Sequence, residues 1–274
     1  MMHSPVMGKA AAHWNSYQLA DILSHCFEGY LVSFTIDGAT FATRFSSEDI
    51  SLNDSVVWLQ DGEPRALALI TRRGQSCRLA AFAIRPELRG QGYGKQFIGQ
   101  LIDAARLRGD KHFWLEVIVG NDSGIALYER MGFVRQQTLV CFHATGSRAF
   151  HPTGELMEID PILMAKLMMS DSPLRLPWLS AAESLYKLPG KAFVLDDVAY
   201  AMVIPNLKQP KLRMLYVDPS ARGQGKAKKL LTLLHERFPG LSTAGSVPEQ
   251  AAPLYLSCGY QQDPITQYEM LLKL

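Results

Sequence analysis

The sequence predicts two tandem domains of mixed strand and helix, and three observations predict it. The phrase Arg89-Gly90-Gln91-Gly92-Tyr93-Gly94 returns as Arg222-Gly223-Gln224-Gly225-Lys226-Ala227. A second phrase, Leu127-Tyr128-Glu129-Arg130-Met131-Gly132-Phe133, returns as Leu254-Tyr255-Leu256-Ser257-Cys258-Gly259-Tyr260, again about 130 residues on. Each Gly-rich phrase follows an apolar run, Leu79 to Ile84 or Leu212 to Val217, and precedes an amphipathic stretch. Two ordered motifs duplicated at nearly one period point to duplication of a whole domain, because the period far exceeds a solenoid repeat. A chain of 274 residues has room for two such cores.

Within residues 17–27, Leu19, Ile22, Leu23 and Phe27 stand at helical spacing, and a second helix is expected over Ala39 to Phe45. The pattern then changes to strands. Val56 to Leu59 and Ala66 to Ile70 flank the hairpin signal Asp61-Gly62, and Leu79 to Ile84 is a third strand stopped by Pro86. Phe97, Leu101, Ala104 and Ala105 share one face of a helix over Lys95 to Arg108. Phe113 to Val119 is the next strand, Ser123 to Arg130 a short helix closed by Gly132, and Gln137 to Phe142 a final strand.

The second half repeats this order. Ile162 to Met169 and Ala181 to Lys187 read as helices, and Ala192 to Leu195 with Val198 to Ile204 as a strand pair turned at Asp196-Asp197. Leu212 to Val217 is the strand before the motif, Lys228 to Phe238 the helix after it, and Tyr268 to Leu272 a last strand. Gly, Ser, His and Pro interrupt the periodicity around residues 144–153, so the domains are set at 1–146 and 147–274.

Composition narrows the function. Hydrophobic residues at 47% and charged residues at 20% describe a globular chain, and a net charge of +2 gives no reason to expect nucleic acid as a partner. Four scattered cysteines without a CxxC pair argue against a disulfide framework or zinc site and for a reducing compartment. No apolar run approaches membrane-spanning length and no secretory signal is evident, so a cytoplasmic monomer or homodimer is expected. His25, His112, His143 and His235 lack metal-ligand spacing. Lys208, Lys211, Arg213, Arg222, Lys226, Lys228 and Lys229 form a local basic cluster, either a solvated helix face or a site for an anion.

The Gly-rich phrase favours the anion. Glycines remove the Cβ atoms that hold a bulky ligand off the backbone, and they accept φ > 0. The loop amides then converge at a helix N-terminus, where unpaired N–H groups and the dipole attract phosphate. An acidic ribose partner about 20 residues downstream is not evident and Gly-Lys-Ser/Thr is absent, so neither a dinucleotide fingerprint nor a P-loop is present. A tight turn without ligand is the alternative.

Both halves resemble the GNAT superfamily of N-acetyltransferases, whose Arg/Gln-x-x-Gly-x-Gly/Ala motif links a strand to a helix. The resemblance implies two tandem GNAT-like domains, each a central mixed, mostly antiparallel sheet flanked by helices. It also implies acetyl-CoA, or another acyl-CoA, with its pyrophosphate on the loop amides and its pantetheine arm on the preceding strand. The residues so implied are Phe82, Ile84 and Arg89, Gly90, Gln91, Gly92, Tyr93, Gly94 and Lys95. In the second copy they are Leu215, Val217, Arg222, Gly223, Gln224, Gly225, Lys226 and Ala227. The stretch Leu115-Glu116-Val117 through Asn121 to Ala126-Leu127-Tyr128-Glu129 and Gly132-Phe133 is similar to ribosomal-protein N-terminal acetyltransferases. That similarity implies Glu116 as general base, Asn121 on the cofactor arm and Tyr128 as acid to the leaving thiolate.

These roles suit the chemistry. A lysine amine with a pKa of ~10.4 needs a base more than an α-amine at ~7.7–8.0. Glu116 on an apolar strand is either a partly desolvated carboxylate with raised proton affinity or a solvent-facing residue. Tyr128 is either a neutral proton donor or a core tyrosine under Gly132. The Ile84 amide is the expected donor to the thioester carbonyl. The second copy keeps Tyr255 but lacks the Glu and Asn, so an active first domain beside a partly degenerate second is expected. The alternative to an amine acetyltransferase is a non-catalytic CoA-binding or interaction protein. The acceptor, a small molecule or a peptide, has no motif in Glu28-Gly29-Tyr30 or in Phe34 to Phe45.

Overall fold

The computed structural model describes residues 5–145, 152–171 and 176–274. Contacts divide the chain into two compact units, residues 1–136 with 268–274, and residues 137–267.

In the first unit, β1 (Met7–Ala10), α1 (Ser16–Cys26) and α2 (Gly38–Glu48) precede the strands β2 (Ile50–Gln60), β3 (Glu63–Arg73) and β4 (Ser76–Ile84). Asn15 starts α1 through a capping box with Gln18, and Asp37 starts α2 by accepting from the Ala39 and Thr40 amides. β2, β3 and β4 pair antiparallel, the first two around Asp61-Gly62, both at positive φ as a tight hairpin requires. The apolar runs read as strands lie within these longer ones. Then come α3 (Tyr93–Leu107), β5 (His112–Ile118), α4 (Asp122–Arg130) and β6 (Val134–Val140), whose residues past Gln136 belong to the second unit.

One irregularity positions the site. β4 and β5 run parallel, but their register pairs only Ser76–Leu79 with His112–Leu115. Against β3, Ile70 pairs with Leu79 and Leu69 with Ala81, so the register skips Ala80. A bulge there bends β4 where the parallel ladder ends, and the strands part beyond it.

Side-chain alternation divides the first core between two faces. Phe97, Ile98, Leu101 and Ile102 of α3 pack on Cys77, Leu79, Phe113 and Leu115. Leu19, Ile22 and Leu23 of α1 and Phe41 of α2 pack on Val57, Leu67, Leu69 and Ala83.

The second unit contains β7 (Phe142–Ala144), β8 (Met157–Ile159), α5 (Pro161–Ser170), α6 (Ala182–Leu185), β9 (Lys191–Leu195), β10 (Ala199–Ile204), β11 (Lys211–Val217) and α7 (Lys226–Arg237). β12 (Ser242–Thr243), β13 (Val247–Pro248), α8 (Ala252–Ser257) and β14 (Tyr260–Gln262) follow, and its main sheet has the order β14-β7-β12-β11-β10-β9-β8. β11 and β12 pair parallel, as β4 and β5 do, but β12 is only two residues long. Past Thr243, the counterpart of Leu115, the chain continues as Ala244-Gly245-Ser246, with neither the Glu nor the Asn of the first copy.

The last strand, β15 (Gln267–Lys273), lies beside β5, and its Met270 and Leu272 enter the first core. The boundary set at 146/147 lies outside the described residues, and the division by contacts differs from chain order. The strand expected over Gln137 to Phe142 breaks at Cys141: Phe142, fully buried, stacks on Tyr255 of the second core at 4.8 Å. Burial of Phe142 in one core and of Met270 and Leu272 in the other sets the division. Among the described residues, no helix is long and apolar enough to cross a membrane.

Candidate active site

The loop between β4 and α3 takes its shape from two glycines and two side chains. Gly90 and Gly92 stand at φ of 75° and 86°, where a side chain would be strained. Gly92 caps α3 without a side-chain acceptor, so the helix begins on bare amides. Arg89 Nε donates to the Ile84 carbonyl at 2.9 Å, and its Nη2 to the Cys26 and Glu28 carbonyls at 2.9 and 2.7 Å. Gln91 Nε2 donates to the Glu87 carbonyl at 2.6 Å. Both long polar side chains thus hold the loop in place.

A cleft of about 740 Å³ opens beside this loop. Phe82, Ile84, Arg89, Gly90, Gly92, Gly94, Lys95, Asn121 and Tyr128 line it, bringing together most of the residues singled out in the first half. Gln91, Tyr93 and Glu116 are not in its lining; the Tyr93 ring instead stacks on Phe97 at 5.6 Å. The Arg85 amide donates to the Arg65 carbonyl of β3 at 2.9 Å. By strand alternation the Ile84 amide therefore faces away from β3, toward the gap left by the parted strands.

Asn121 serves twice. Its Oδ1 caps α4 by accepting from the Gly124 amide at 3.1 Å, and its Nδ2 donates to the Tyr30 hydroxyl at 3.1 Å. Burial pushes the Tyr128 phenol well above the ordinary tyrosine range, and Tyr30 nearby adds to the rise. Tyr128 is thus a neutral phenol. Phe27, Tyr30 and Leu31 add to the wall from a segment where the sequence carries no motif. Their only signal is an aromatic cluster just after a helix: Phe27 lies 5.0 Å from Tyr30 and 4.8 Å from Phe34, ring to ring.

Glu116 stands on β5 one residue past the last rung shared with β4. Its carboxylate accepts from Arg78 Nε at 2.7 and 3.0 Å, while Arg78 Nη1 reaches Glu48 at 3.3 Å and Arg44 holds Glu48 at 2.6 Å. Burial raises the proton affinity of Glu116 more than Arg78 lowers it. Of the two sequence readings, desolvation fits; the ion pair with a buried arginine has no signature in the motif.

The second copy repeats the loop almost contact for contact. Gly223 and Gly225 have φ of 77° and 76°, Arg222 Nε donates to the Val217 carbonyl at 3.0 Å, and Gln224 Nε2 to the Ser220 carbonyl at 3.0 Å. Leu215 and Val217 pack against the second core, and Ala227 lies in the first turn of α7. The surroundings differ. Arg222 is held by Asp171, and Asp196 accepts from Lys226 and Lys229 at 2.8 and 3.3 Å. Tyr255 is buried against Phe142, and burial pushes its phenol up as well.

Parted parallel strands, a glycine loop and an uncapped helix start form a cradle for an anionic ligand with an extended arm. The chain belongs to the GNAT acetyltransferase family: residues 17–133 match the Acetyltransferase (GNAT) family model and residues 189–262 the Acetyltransferase (GNAT) domain model. Ribosomal protein bS18-alanine N-acetyltransferase of Escherichia coli K12 is 35% identical over 106 residues, 39% of this chain and 66% of that protein. N-alpha-acetyltransferase 30 of Schizosaccharomyces pombe is 35% identical over 80 residues, 28% of this chain and 53% of that one. The chain thus spans just under two thirds of the first relative and about half of the second. Among solved structures, a GCN5-related N-acetyltransferase from Sphaerobacter thermophilus superposes at a TM-score of 0.70 with 16% identity, over 98% of this chain and 95% of that one. A tandem GNAT protein from the clavulanic acid biosynthesis pathway superposes at 0.64 with 15% identity, over 98% of both chains. These two likenesses establish the tandem fold.

Proposed function

We propose that the first unit is an acetyl-CoA-dependent N-acetyltransferase that acylates a primary amine by direct attack. The supporting observation is the convergence of an uncapped helix start, Asn121 and Tyr128 on one cleft. The residues fit the cofactor. A Cβ at Gly90 or Gly92 would meet nothing within 4 Å, which leaves the backbone open to a pyrophosphate. When bound, acetyl-CoA supplies the thioester that the amine attacks.

The chain's residues then divide the work. The loop amides hold the anion, and backbone groups at Phe82 and Ile84 align the extended arm. The Ile84 amide donates to the thioester carbonyl as charge develops there. Glu116, outside the cleft's lining, takes a proton from the ammonium form of the acceptor through water. The freed nitrogen forms the C–N bond as the C–S bond breaks. Tyr128 gives its proton to the departing thiolate and regains one from the acylated nitrogen. Holding amine and thioester together accounts for most of the remaining rate effect. The second loop keeps its conformation, with Arg222, Lys226 and Lys229 engaged by Asp171 and Asp196, and lacks the flanking chemistry.

One relative is named for acetylating an alanine of a ribosomal protein, so peptides beginning with alanine are the first acceptors to test. The test offers acetyl-CoA to the protein with such peptides and a panel of small amines, with products read by mass spectrometry. Product from the wild type that is lost in Tyr128→Phe supports the reading. Tight acetyl-CoA binding with no product across the panel overturns it in favour of a non-catalytic CoA-binding protein.

A further inference from the structure

Sheet order places β4, β5 and β15 side by side in the first unit. On each, alternate residues enter the core under α3: Cys77 and Leu79, Phe113, Leu115 and Val117, Met270 and Leu272. By the two-residue period of a strand, Arg78, Glu116 and Glu269 share the opposite face, on three adjacent strands. All three are withdrawn from water. Arg78 and Glu269 are each 4% exposed, and the Glu116 side chain keeps 11% of its surface.

This placement bears on how Glu116 can act as a base. An arginine in contact favours the ionised carboxylate and weakens it as a proton acceptor. Two features oppose that effect. Glu48 shares the Arg78 guanidinium and is itself held by Arg44. Glu269 adds a second carboxylate on the neighbouring strand, and like charges at short range raise proton affinity. Burial is the largest cause of the rise at Glu116; Arg78 opposes it, and Glu269 and Glu48 add to it.

We propose that Glu269 is a positioning residue of the acyl-transfer site, set by β15 beside Glu116 to keep that carboxylate a proton acceptor in spite of its ion pair with Arg78. This rests on the reading of Glu116 as base. The first unit's chemistry thereby depends on a residue encoded beyond the whole of the second unit, far from either motif.

The test is made on the full chain with carbon-13-labelled glutamate. The Glu116 carboxyl resonance is assigned by its loss in Glu116→Gln and followed against pH in the wild type and in Glu269→Gln. Glu116 is expected to titrate at lower pH in Glu269→Gln. Where an accepted amine is in hand, the acid limb of kcat/KM moves the same way, kcat falls on the order of tenfold, and KM for acetyl-CoA is unchanged. Glu269→Asp, which keeps the charge, restores most of the wild-type profile and serves if the glutamine variant does not fold. An unmoved Glu116 titration in Glu269→Gln overturns the proposal, as does a profile in Glu269→Asp that departs from the wild type as far as that of Glu269→Gln. A Glu116→Gln enzyme as active as the wild type removes the base reading itself, whatever Glu269 does.

Discussion

Gly92→Ala and Gly225→Ala form a matched pair that separates backbone strain from cofactor binding. The two glycines begin equivalent helices at φ of 86° and 76°, and an added Cβ meets nothing within 4 Å at either position. Neither substitution carries a steric term. Each places an L-residue in the left-handed region at about 1–2 kcal/mol, offset by roughly 0.4–1 kcal/mol from the stiffer unfolded chain. Both variants are therefore expected to lose a similar, small amount, about 2–4 °C in Tm per kcal/mol. With acetyl-CoA the pair diverges. A ligand at 100 times its Kd adds about 2.7 kcal/mol of stability, and a tenfold loss of affinity cuts this to about 1.4 kcal/mol. Gly92→Ala should show that reduced ligand-induced rise in Tm, with the weaker Kd confirmed by calorimetry, while Gly225→Ala keeps the wild-type response. Undiminished binding in Gly92→Ala would refute the cradle of loop amides. Lower stoichiometry in Gly225→Ala would show that the second loop also takes the ligand.

Tyr128→Phe removes one hydroxyl from a buried ring; kcat is expected to fall about 100-fold or more with KM for acetyl-CoA nearly constant, read from steady-state kinetics. Arg78→Ala leaves Glu116 and Glu48 without a shared buried partner and should cost about 3–5 kcal/mol in denaturant titrations at neutral pH. Burial pushes Glu48 up, but Arg44 and Arg78 outweigh it and hold the carboxyl below its ordinary range. Its ionised form thus adds stability above the normal carboxylate range, and that stability is lost as pH falls through the acid region. The acid-induced loss should be smaller in Arg78→Ala than in the wild type. Burial pushes the Cys26 thiol, which lines the cleft, to about 12. Alkylation by iodoacetamide at neutral pH should therefore run roughly a thousandfold slower than at a free thiol with a pKa of ~8.5. Rapid labelling of the folded protein at Cys26 would contradict that burial.

Local chemistry was legible in the sequence where the backbone demanded particular residues. The two Gly-rich phrases specified the positive φ at Gly90, Gly92, Gly223 and Gly225 and the helices that follow. Asp61-Gly62 specified a hairpin because few other pairs accept that turn. Non-local geometry left no such mark. Arg78 stands just before an apolar run and gives no sign that it pairs with a carboxylate 38 positions away. Tyr30 meets Asn121 across 91 positions, in a segment without a motif. Arg89 and Gln91 illustrate the converse. The motif marked them as cofactor residues, yet their side chains bond loop carbonyls, so the phrase encodes the shape of the cradle as much as its contacts. The boundary at 146/147 followed chain order, whereas the burial of Phe142, Met270 and Leu272 follows core membership.

The place of β15 beside β5 has a consequence for how the polypeptide matures. Residues 137–267 must be translated before the strand that borders β5 is made, on the order of ten seconds at about 5–20 residues per second. Through that interval the nascent first unit carries β5 with that neighbour missing, an open edge where another strand can pair. A ribosome stalled before Tyr268 would release a chain with that edge exposed. Termination before Tyr268 is therefore expected to yield aggregation or chaperone retention rather than a stable half.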